Sequence, residues 1–322
     1  LAYLAGFVAG YFLLRWLAQH DLWVLKPEKT GDFIAYSALF GVFLGGRLGY
    51  VLFYMIPEKG VGTVLRDPLI VLRVWEGGMA SHGGFLGLLV FTLVYARRQK
   101  VSWPALGDGL CVVAPLGLMF GRLANFINGE LFGRTANGVA WAMKFPKALL
   151  DTRPESTRFE VAMTDAVASD PERLGDAYAR YHQSLEAGDP GASGVLFQAV
   201  ESASRESDAV LAALGRHLEA RHPSQLYEAI LEGAVLFLIL FALRVLRPQL
   251  RAGILTGLFF SLYAVFRIIV EQFREPDSAW VVEGLLTKGQ FYSVFLFLIG
   301  VAFLVYAVFQ GKKAPDPDPV EG

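Results

Sequence analysis

Cysteine is almost missing from this sequence, since Cys111 is the single one among 322 residues. One cysteine excludes a disulfide framework and a cysteine-rich metal site. Charge is also scarce, because only 18% of the residues are charged and the formal net charge is −1. That balance excludes the strongly basic surface with which many proteins bind nucleic acid. Cys111 lies in an apolar run, and we interpret it as a packing residue.

The common catalytic fingerprints are missing as well. The sequence has no zinc-type His/Glu spacing, Gly-x-Ser-x-Gly elbow, P-loop or dinucleotide fingerprint in a context where it could function. The run GGRLG at 45–49 is interpreted as a packing motif. We therefore predict no metal site and no cofactor.

Apolar residues, in contrast, are abundant: 54% of the chain is hydrophobic, and the mean hydropathy is +0.43. A membrane-spanning helix needs about 20 predominantly apolar residues, and such runs recur along the chain. The sequence predicts an all-α integral membrane protein with seven transmembrane helices. They lie near residues 1–18, 33–56, 85–96 with its apolar flanks, 108–127, 225–243, 254–273 and 288–309.

Basic residues set the predicted orientation. Clusters of Lys and Arg follow the first, third, fifth and seventh runs, and such clusters mark the cytoplasmic side. Residues 1–133 are predicted to form helices one to four, the first of them truncated, and residues 223–310 form helices five to seven. The polar segment 134–222 is an extracytoplasmic, periplasmic arm or head, and its composition favours a partly ordered, solvated insertion. Residues 311–322 are predicted to be a disordered cytoplasmic tail.

Three arginines lie inside predicted spans: Arg47, Arg122 and Arg267. A charged side chain at membrane depth costs about 2.5–3.5 kcal/mol on insertion scales, so it normally faces the protein interior and has a partner there. Arginine in that setting suggests a bound anion. The predicted orientation puts all three in the outer half of the membrane. Arg47 lies beside a ladder of glycines at every fourth position from 41 to 49, which favours a structural role in close helix packing.

The sixth run carries a polar stripe. Tyr263, Arg267, Glu271 and Arg274 follow one another at intervals of four, four and three residues, which puts them on one face of a helix. This face is predicted to be wet or hydrogen-bonded. The alternative is an internal Arg267–Glu271 pair that neutralises itself and only fixes helix packing.

The fourth run ends in GRLANFINGELFGR at 121–134, which is richer in amides and charges than a helix end needs. A turn at the helix end explains Asn128 and the glycine after it. It does not explain the other polar residues together, and these favour a binding site. They are Arg122, Asn125, Glu130 and Arg134.

His82 lies in WEGGMASHGGFLG, where the chain re-enters the membrane before the third run. A lone histidine there is commonly an interfacial residue. This one is predicted at the same depth as the arginines, and an unperturbed imidazole titrates near neutral pH, as a general base requires. The block RHPSQLYE leads from the arm into the fifth run, where Gln225, Glu228 and Glu232 form a further polar face.

The blocks HGGFLG, GRLANFINGELFGR, RHPSQLYE and FRIIVEQFREPD together resemble the bacterial prolipoprotein diacylglyceryl transferases in their order and spacing. The resemblance extends from the first run to the seventh. The chain departs from the family pattern at Ala124, where glycine is usual, and in a longer arm. A functional tyrosine of the family would precede the first residue of this chain.

The resemblance implies an enzyme of lipoprotein maturation. It would transfer the diacylglyceryl group of phosphatidylglycerol to the lipobox cysteine of a preprolipoprotein, forming a thioether and releasing glycerol 1-phosphate. Its partners would be phosphatidylglycerol, the preprolipoprotein signal peptide and membrane lipids, without a cofactor. It would lie in the bacterial inner membrane with its active site facing the outer leaflet, as a monomer or an oligomer.

The resemblance also implies roles for individual residues. Arg122 and Arg267 would bind the phosphate and act in catalysis. His82 would be the catalytic base, although the field of the arginines could activate the thiol without one. The further substrate-binding candidates are Asn125, Asn128, Glu130, Gly133, Arg134, Tyr263 and Glu271, with Gly133 permitting a turn. Two other functions stay open: a membrane lipid carrier or flippase, and a catalytically inactive relative that binds lipoproteins.

Overall fold

The computed structural model describes residues 2–73, 75, 77–151, 157–275 and 287–310, and this part of the chain is mostly helical. Its longer helices are α1 (Ala2–Gln19), α2 (Pro27–Lys59), α3 (Val61–Arg66), α4 (Ser81–Gln99), α5 (Trp103–Ile127), α6 (Ala148–Asp151), α7 (Thr157–Ser169), α8 (Pro171–Glu186), α9 (Ala192–Ser204), α10 (Asp208–His217), α11 (Ser224–Leu246), α12 (Ile254–Glu271) and α13 (Lys288–Phe309). Strands β1 (Met143–Lys144) and β2 (Ala220–Arg221) pair antiparallel. The predicted tail 311–322 lies outside the described residues.

Five helices of the described chain are long and apolar enough to cross a membrane, which confirms an all-α membrane protein. They are α2, α5, α11, α12 and the Gly289–Phe309 part of α13. The other two predicted spans are also helical, as α1 and α4. The apolar part of α1 is short, and α4 begins with Ser-His-Gly-Gly and ends with Ala-Arg-Arg-Gln. The count of seven spans therefore stays a prediction.

Two of the spanning helices contain π-helical stretches, at Ser37–Phe43 and Val51–Met55 in α2 and at Ala229–Val235 in α11. A π-helical turn shifts the faces of a helix relative to an unbroken α-helix, and such turns are frequent at functional sites. In α11 the π-helical stretch contains Glu232, whose side chain is fully buried.

The chain divides into two compact units. Unit 1 comprises residues 1–121, 229–268 and 288–322, and unit 2 comprises residues 122–228 and 269–287. The core of unit 1 is built from buried leucines and aromatic residues of α1, α2, α5, α11 and α12. A buried carboxylate binds the start of α12 in this unit. Asp108 accepts hydrogen bonds from the backbone N–H groups of Gly253 and Thr256, both at 2.8 Å. Cys111 is free and buried, as its packing interpretation requires.

The glycine ladder brings α2 and α4 into backbone contact inside unit 1. A Cβ added at Gly83 would lie 2.4 Å from the carbonyl oxygen of Gly45, and one added at Gly87 would lie 2.2 Å from that of Gly41. Both distances are far below van der Waals contact, so no other residue fits at these positions without a shift of the helices. This is the close packing that small residues allow between membrane helices.

Unit 2 contains a folded helical arm. Helices α7 to α10 surround a core of buried side chains, of which Phe159, Met163, Leu196, Phe197 and Leu214 are at most 2% exposed. The expectation of a partly ordered insertion is wrong for the described residues. Large apolar residues are few in this segment, but helical spacing gathers them on the inner faces. Buried alanines then let the helices approach closely.

We expect Gly87→Ala to destabilise the protein, because its methyl group must displace the backbone of α2. Overpacking of this kind costs about 1–3 kcal/mol. Gly117→Ala in α5 is the matched control, since a Cβ there meets nothing within 4 Å and alanine favours the helix. Thermal midpoints in nanodiscs measure both variants. Equal midpoints for the two would contradict the close approach.

A carboxylate on the arm should make its stability depend on pH. The hydrogen bond between Asp165 and His217, 2.7 Å long, and the nearby guanidinium of Arg216 hold the pKa of the Asp165 carboxyl below its usual 3.8. Because the folded pKa is the lower one, this stabilisation is complete above the unfolded pKa and is lost as pH falls through the folded pKa. Asp165→Asn should therefore destabilise the arm near neutral pH but not in strong acid. The control is Asp176→Asn, at an exposed position, and a pH-independent difference in thermal midpoint would refute the expectation.

Candidate active site

Two arginines of unit 2 share one buried carboxylate. Arg122 Nε lies 3.1 Å from Glu228 Oε2, and Arg274 Nη1 lies 2.6 Å from Glu228 Oε1. The side chains of Glu228 and Arg274 are 0% and 4% exposed, whereas that of Arg122 is 19% exposed. We call these three residues the Glu228 cluster. Arg122 is the most exposed of the three.

The segment after α5 folds against the start of α11. Asn128 donates to Glu130 Oε1 at 2.7 Å, while the side-chain amide of Gln225 donates to the carbonyl oxygen of Glu130 at 2.8 Å. Gly129 has φ of +66°, and its N–H bonds back to Phe126, so a helix end does explain the Asn-Gly pair. The backbone of Asn125 accepts from the N–H of Glu130 at 3.0 Å. These bonds fix the chain that follows Arg122.

Gly133 is required for close approach and not for a turn. A Cβ there would lie 2.4 Å from the carbonyl oxygen of Phe273 and 2.6 Å from that of His222, and its φ is not positive. Its N–H donates to His222 O at 2.9 Å. The next residue, Arg134, donates its backbone N–H to the carbonyl oxygen of Phe273 and its Nε–H to that of Arg274, both at 2.9 Å. The predicted role of Gly133 is thus corrected, and Arg134 ties three chain segments together.

Arg267 in unit 1 has a carboxylate neighbour in α11, because its Nη1 lies 3.6 Å from Glu232 Oε1. Glu232 is completely buried, and the side chain of Arg267 is 13% exposed. On the same helix, the ring of Tyr263 stacks on Phe259 with centroids 6.0 Å apart. A partly exposed guanidinium beside a buried carboxylate therefore also occurs in unit 1.

Glu271, the third member of the predicted stripe, belongs to unit 2. Its Oε1 accepts a hydrogen bond from the hydroxyl of Thr287 at 2.8 Å, and the residue is 4% exposed. Glu271 therefore fastens the chain that precedes α13 to the end of α12.

His82 is the second residue of α4 in unit 1, and its side chain is exposed. Ala80 precedes that helix in extended conformation, and its N–H donates to the carbonyl of Gly46 at 2.9 Å. An exposed imidazole at the start of a fixed helix can exchange protons with a bound molecule. Arg47, in contrast, is 2% exposed, as its structural interpretation predicts.

The structure adds two residues to the predicted site, Glu228 and Glu232. The sequence placed both on a polar face of the fifth span, four residues apart, but gave no reason to pair them with the arginines. Their complete burial is the property that separates them from ordinary polar residues of an interfacial helix, and burial is visible only in the folded chain.

The chain was compared with known proteins. The family model described as "Prolipoprotein diacylglyceryl transferase" matches residues 1–306. Curated relatives named phosphatidylglycerol–prolipoprotein diacylglyceryl transferase include proteins of Bdellovibrio bacteriovorus, 36% identical over 95% of this chain and 87% of the relative, and of Erwinia tasmaniensis, 38% identical over 95% and 86%. The relative from Azospirillum brasilense is 37% identical over 98% of this chain and 90% of its own. The chain therefore belongs to the prolipoprotein diacylglyceryl transferase family.

Proposed function

We propose that this protein transfers the diacylglyceryl group of phosphatidylglycerol to the thiol of a prolipoprotein cysteine, the reaction for which its curated relatives are named. The observation that carries the proposal is the Glu228 cluster. Its two guanidinium groups share one buried carboxylate, and Arg122 is the most exposed member, so an anion entering the site would meet its guanidinium. A phosphodiester is the anion that the substrate supplies.

The reaction changes three bonds. The cysteine sulfur forms a bond to the glyceryl carbon, the bond from that carbon to the phosphate oxygen breaks, and the thiol loses its proton. The products are a thioether and glycerol 1-phosphate, which keeps the electron pair of the broken bond. A free thiol is mostly protonated at neutral pH, so a base or a positive field must favour the thiolate. Charge that develops on the departing phosphate must be stabilised.

Arg122 is proposed to hold the phosphate, because a guanidinium fork matches two phosphate oxygens. Glu228 would keep the rotamer of Arg122 fixed, and Arg274 would hold Glu228 in place. Asn125, Asn128 and Glu130 would orient the glycerol head group from the segment that follows α5.

Arg267 is proposed as a further phosphate ligand, held in place by Glu232, and Tyr263 and Glu271 are proposed as substrate-binding residues. His82 is proposed as the base that accepts the thiol proton, a role for which its exposed side chain at the start of α4 is suited. The same proton could not go to an arginine, because guanidinium groups stay protonated in proteins.

The finer setting is part of the proposal. The cysteine is that of a lipobox, the protein lies in the bacterial inner membrane, and the reaction takes place at the outer leaflet. Seven spans would then leave the arm 134–222 outside the cytoplasm, where it would contact the mature part of the lipoprotein. The five spanning helices support a multi-pass protein.

The direct test is mass spectrometry of a lipobox peptide incubated with the purified protein and phosphatidylglycerol in nanodiscs. A diacylglyceryl adduct on the cysteine, with equal release of glycerol phosphate, is expected. Lipid movement between leaflets without an adduct would favour a carrier. Binding of the peptide with its thiol left free would favour an inactive relative.

We expect Arg267→Ala to lower the transfer rate at least a hundredfold while the protein still inserts and folds, because removal of one charged ligand of a developing oxyanion costs that order of rate. Arg247→Ala is the control: this arginine is exposed after α11 and should leave the rate unchanged. Turnover of folded Arg267→Ala close to that of the unchanged protein would refute the ligand role.

We expect Glu228→Gln to lower both thermal stability and activity, because it leaves two guanidinium groups around a neutral amide. Breaking a buried ion pair by removal of one partner costs about 3–5 kcal/mol. Glu275→Gln is the control in the same unit: Glu275 pairs with Arg221 at 2.9 Å, but its side chain is 52% exposed, and such pairs contribute about 0–1 kcal/mol. Equal thermal midpoints for the two variants would contradict the cluster.

A further inference from the structure

The third intramembrane arginine differs from the other two in its partners. Arg47 Nε donates to Val71 O at 3.0 Å, Nη1 donates to Gly77 O at 2.5 Å and Gly78 O at 3.0 Å, and Nη2 donates to Ile70 O at 2.5 Å. A guanidinium has five N–H groups, so four of them are used on backbone carbonyls. With 2% of its surface exposed, Arg47 has little left to offer a lipid phosphate.

The four carbonyls come from two separated stretches of one loop. Ile70 and Val71 end the 3₁₀ helix Pro68–Leu72, and Gly77 and Gly78 precede α4. One guanidinium of α2 therefore binds both stretches. Gly77 and Gly78 have φ of +81° and +79°. Other residues rarely adopt this conformation, which allows the two carbonyls to face Arg47.

The same loop leads directly into His82. The aromatic ring of Tyr50 packs on Gly78, and a Cβ added at Gly78 would lie 2.4 Å from that ring. The N–H of Ala80 donates to the carbonyl oxygen of Gly46. Beyond His82, Gly83 packs on the backbone of Gly45. The backbone on both sides of His82 is therefore fixed to one short part of α2.

We propose that Arg47 is a positioning residue, which fixes the point and direction from which the His82 imidazole reaches the substrate thiol, and that it does not bind the lipid head group. This inference rests on the proposed function, in which His82 accepts the thiol proton. Lysine cannot replace Arg47, because its three donors lie on one nitrogen, whereas the planar fork spans both stretches of the loop.

The test compares Arg47→Lys and Arg47→Gln with the unchanged protein in the nanodisc transfer assay, with rates expressed per folded molecule. For both we expect kcat to fall about 10- to 100-fold, since misplacement of a catalytic group by about 1 Å can cost a hundredfold in rate. KM for phosphatidylglycerol should stay within about twofold, since no lipid ligand is lost. Amide hydrogen exchange should rise across residues 67–84 and not in α7 to α10.

Arg251→Gln is the matched control, because this guanidinium also donates to two backbone carbonyls, those of Ala307 and Val308, near the end of α13. It should leave kcat and KM unchanged. A rise in KM with unchanged kcat for Arg47→Lys would overturn the inference in favour of head-group binding. If kcat of Arg47→Lys per folded molecule equals that of the unchanged protein, the inference is overturned in favour of a purely structural role. This holds even if Arg47→Gln does not fold. An inactive unchanged protein would instead count against the proposed function.

Discussion

A guanidinium group inside an apolar helix must be solvated by the protein, because the bilayer offers neither water nor counter-ions. Much of the chemistry of this chain depends on that constraint. Arg122 and Arg267 are each solvated by a buried glutamate of α11, whereas Arg47 is solvated by the backbone carbonyls of a loop. The three residues look alike in the sequence, and they differ in what surrounds them.

The kind of partner decides what each arginine can still do. A carboxylate can fix a guanidinium that still approaches an anion, and in the Glu228 cluster two arginines share one carboxylate. Carbonyl oxygens carry only partial charges, so several of them are needed to replace water around one cation. Arg47 has four, and they use nearly all its donors. A carboxylate partner is thus compatible with anion binding, whereas hydrogen bonds to four backbone carbonyls stabilise the loop to which those carbonyls belong.

The sequence was sufficient for those features that local periodicity controls. The apolar runs predicted the five helices that can span a membrane, the interval of four between glycines predicted that α2 packs closely on another helix, and the burial of Arg47 agrees with the structural interpretation drawn from its position beside that ladder. The order of four blocks was enough to indicate the family. Each of these inferences needs only the chain within one helix or the order of motifs.

The features that were missed depend on contacts between distant residues. Glu228 and Arg274 are 46 positions apart, and nothing in either segment alone indicates that they meet. The degree of order in the arm was underestimated, because a folded core built from alanines and a few large side chains has the same composition as a solvated segment. Only the packing of four helices distinguishes the folded core from the solvated segment. Gly133 was expected to permit a turn, but two carbonyl groups from remote segments exclude a side chain there.

Backbone contact between helices also explains why the catalytic candidates can be exposed without being loosely held. His82 is exposed, yet the residues on either side of it are bound to α2 through Gly46 and Gly45. Arg122 is partly exposed, yet Glu228 restricts it. A group that must meet a lipid and a peptide from the bilayer has to present its polar end to them, and its geometry then has to be fixed from behind. In this chain glycine contacts, the backbone carbonyls around Arg47 and buried glutamates supply that fixation for the side chains that are proposed to face the substrate.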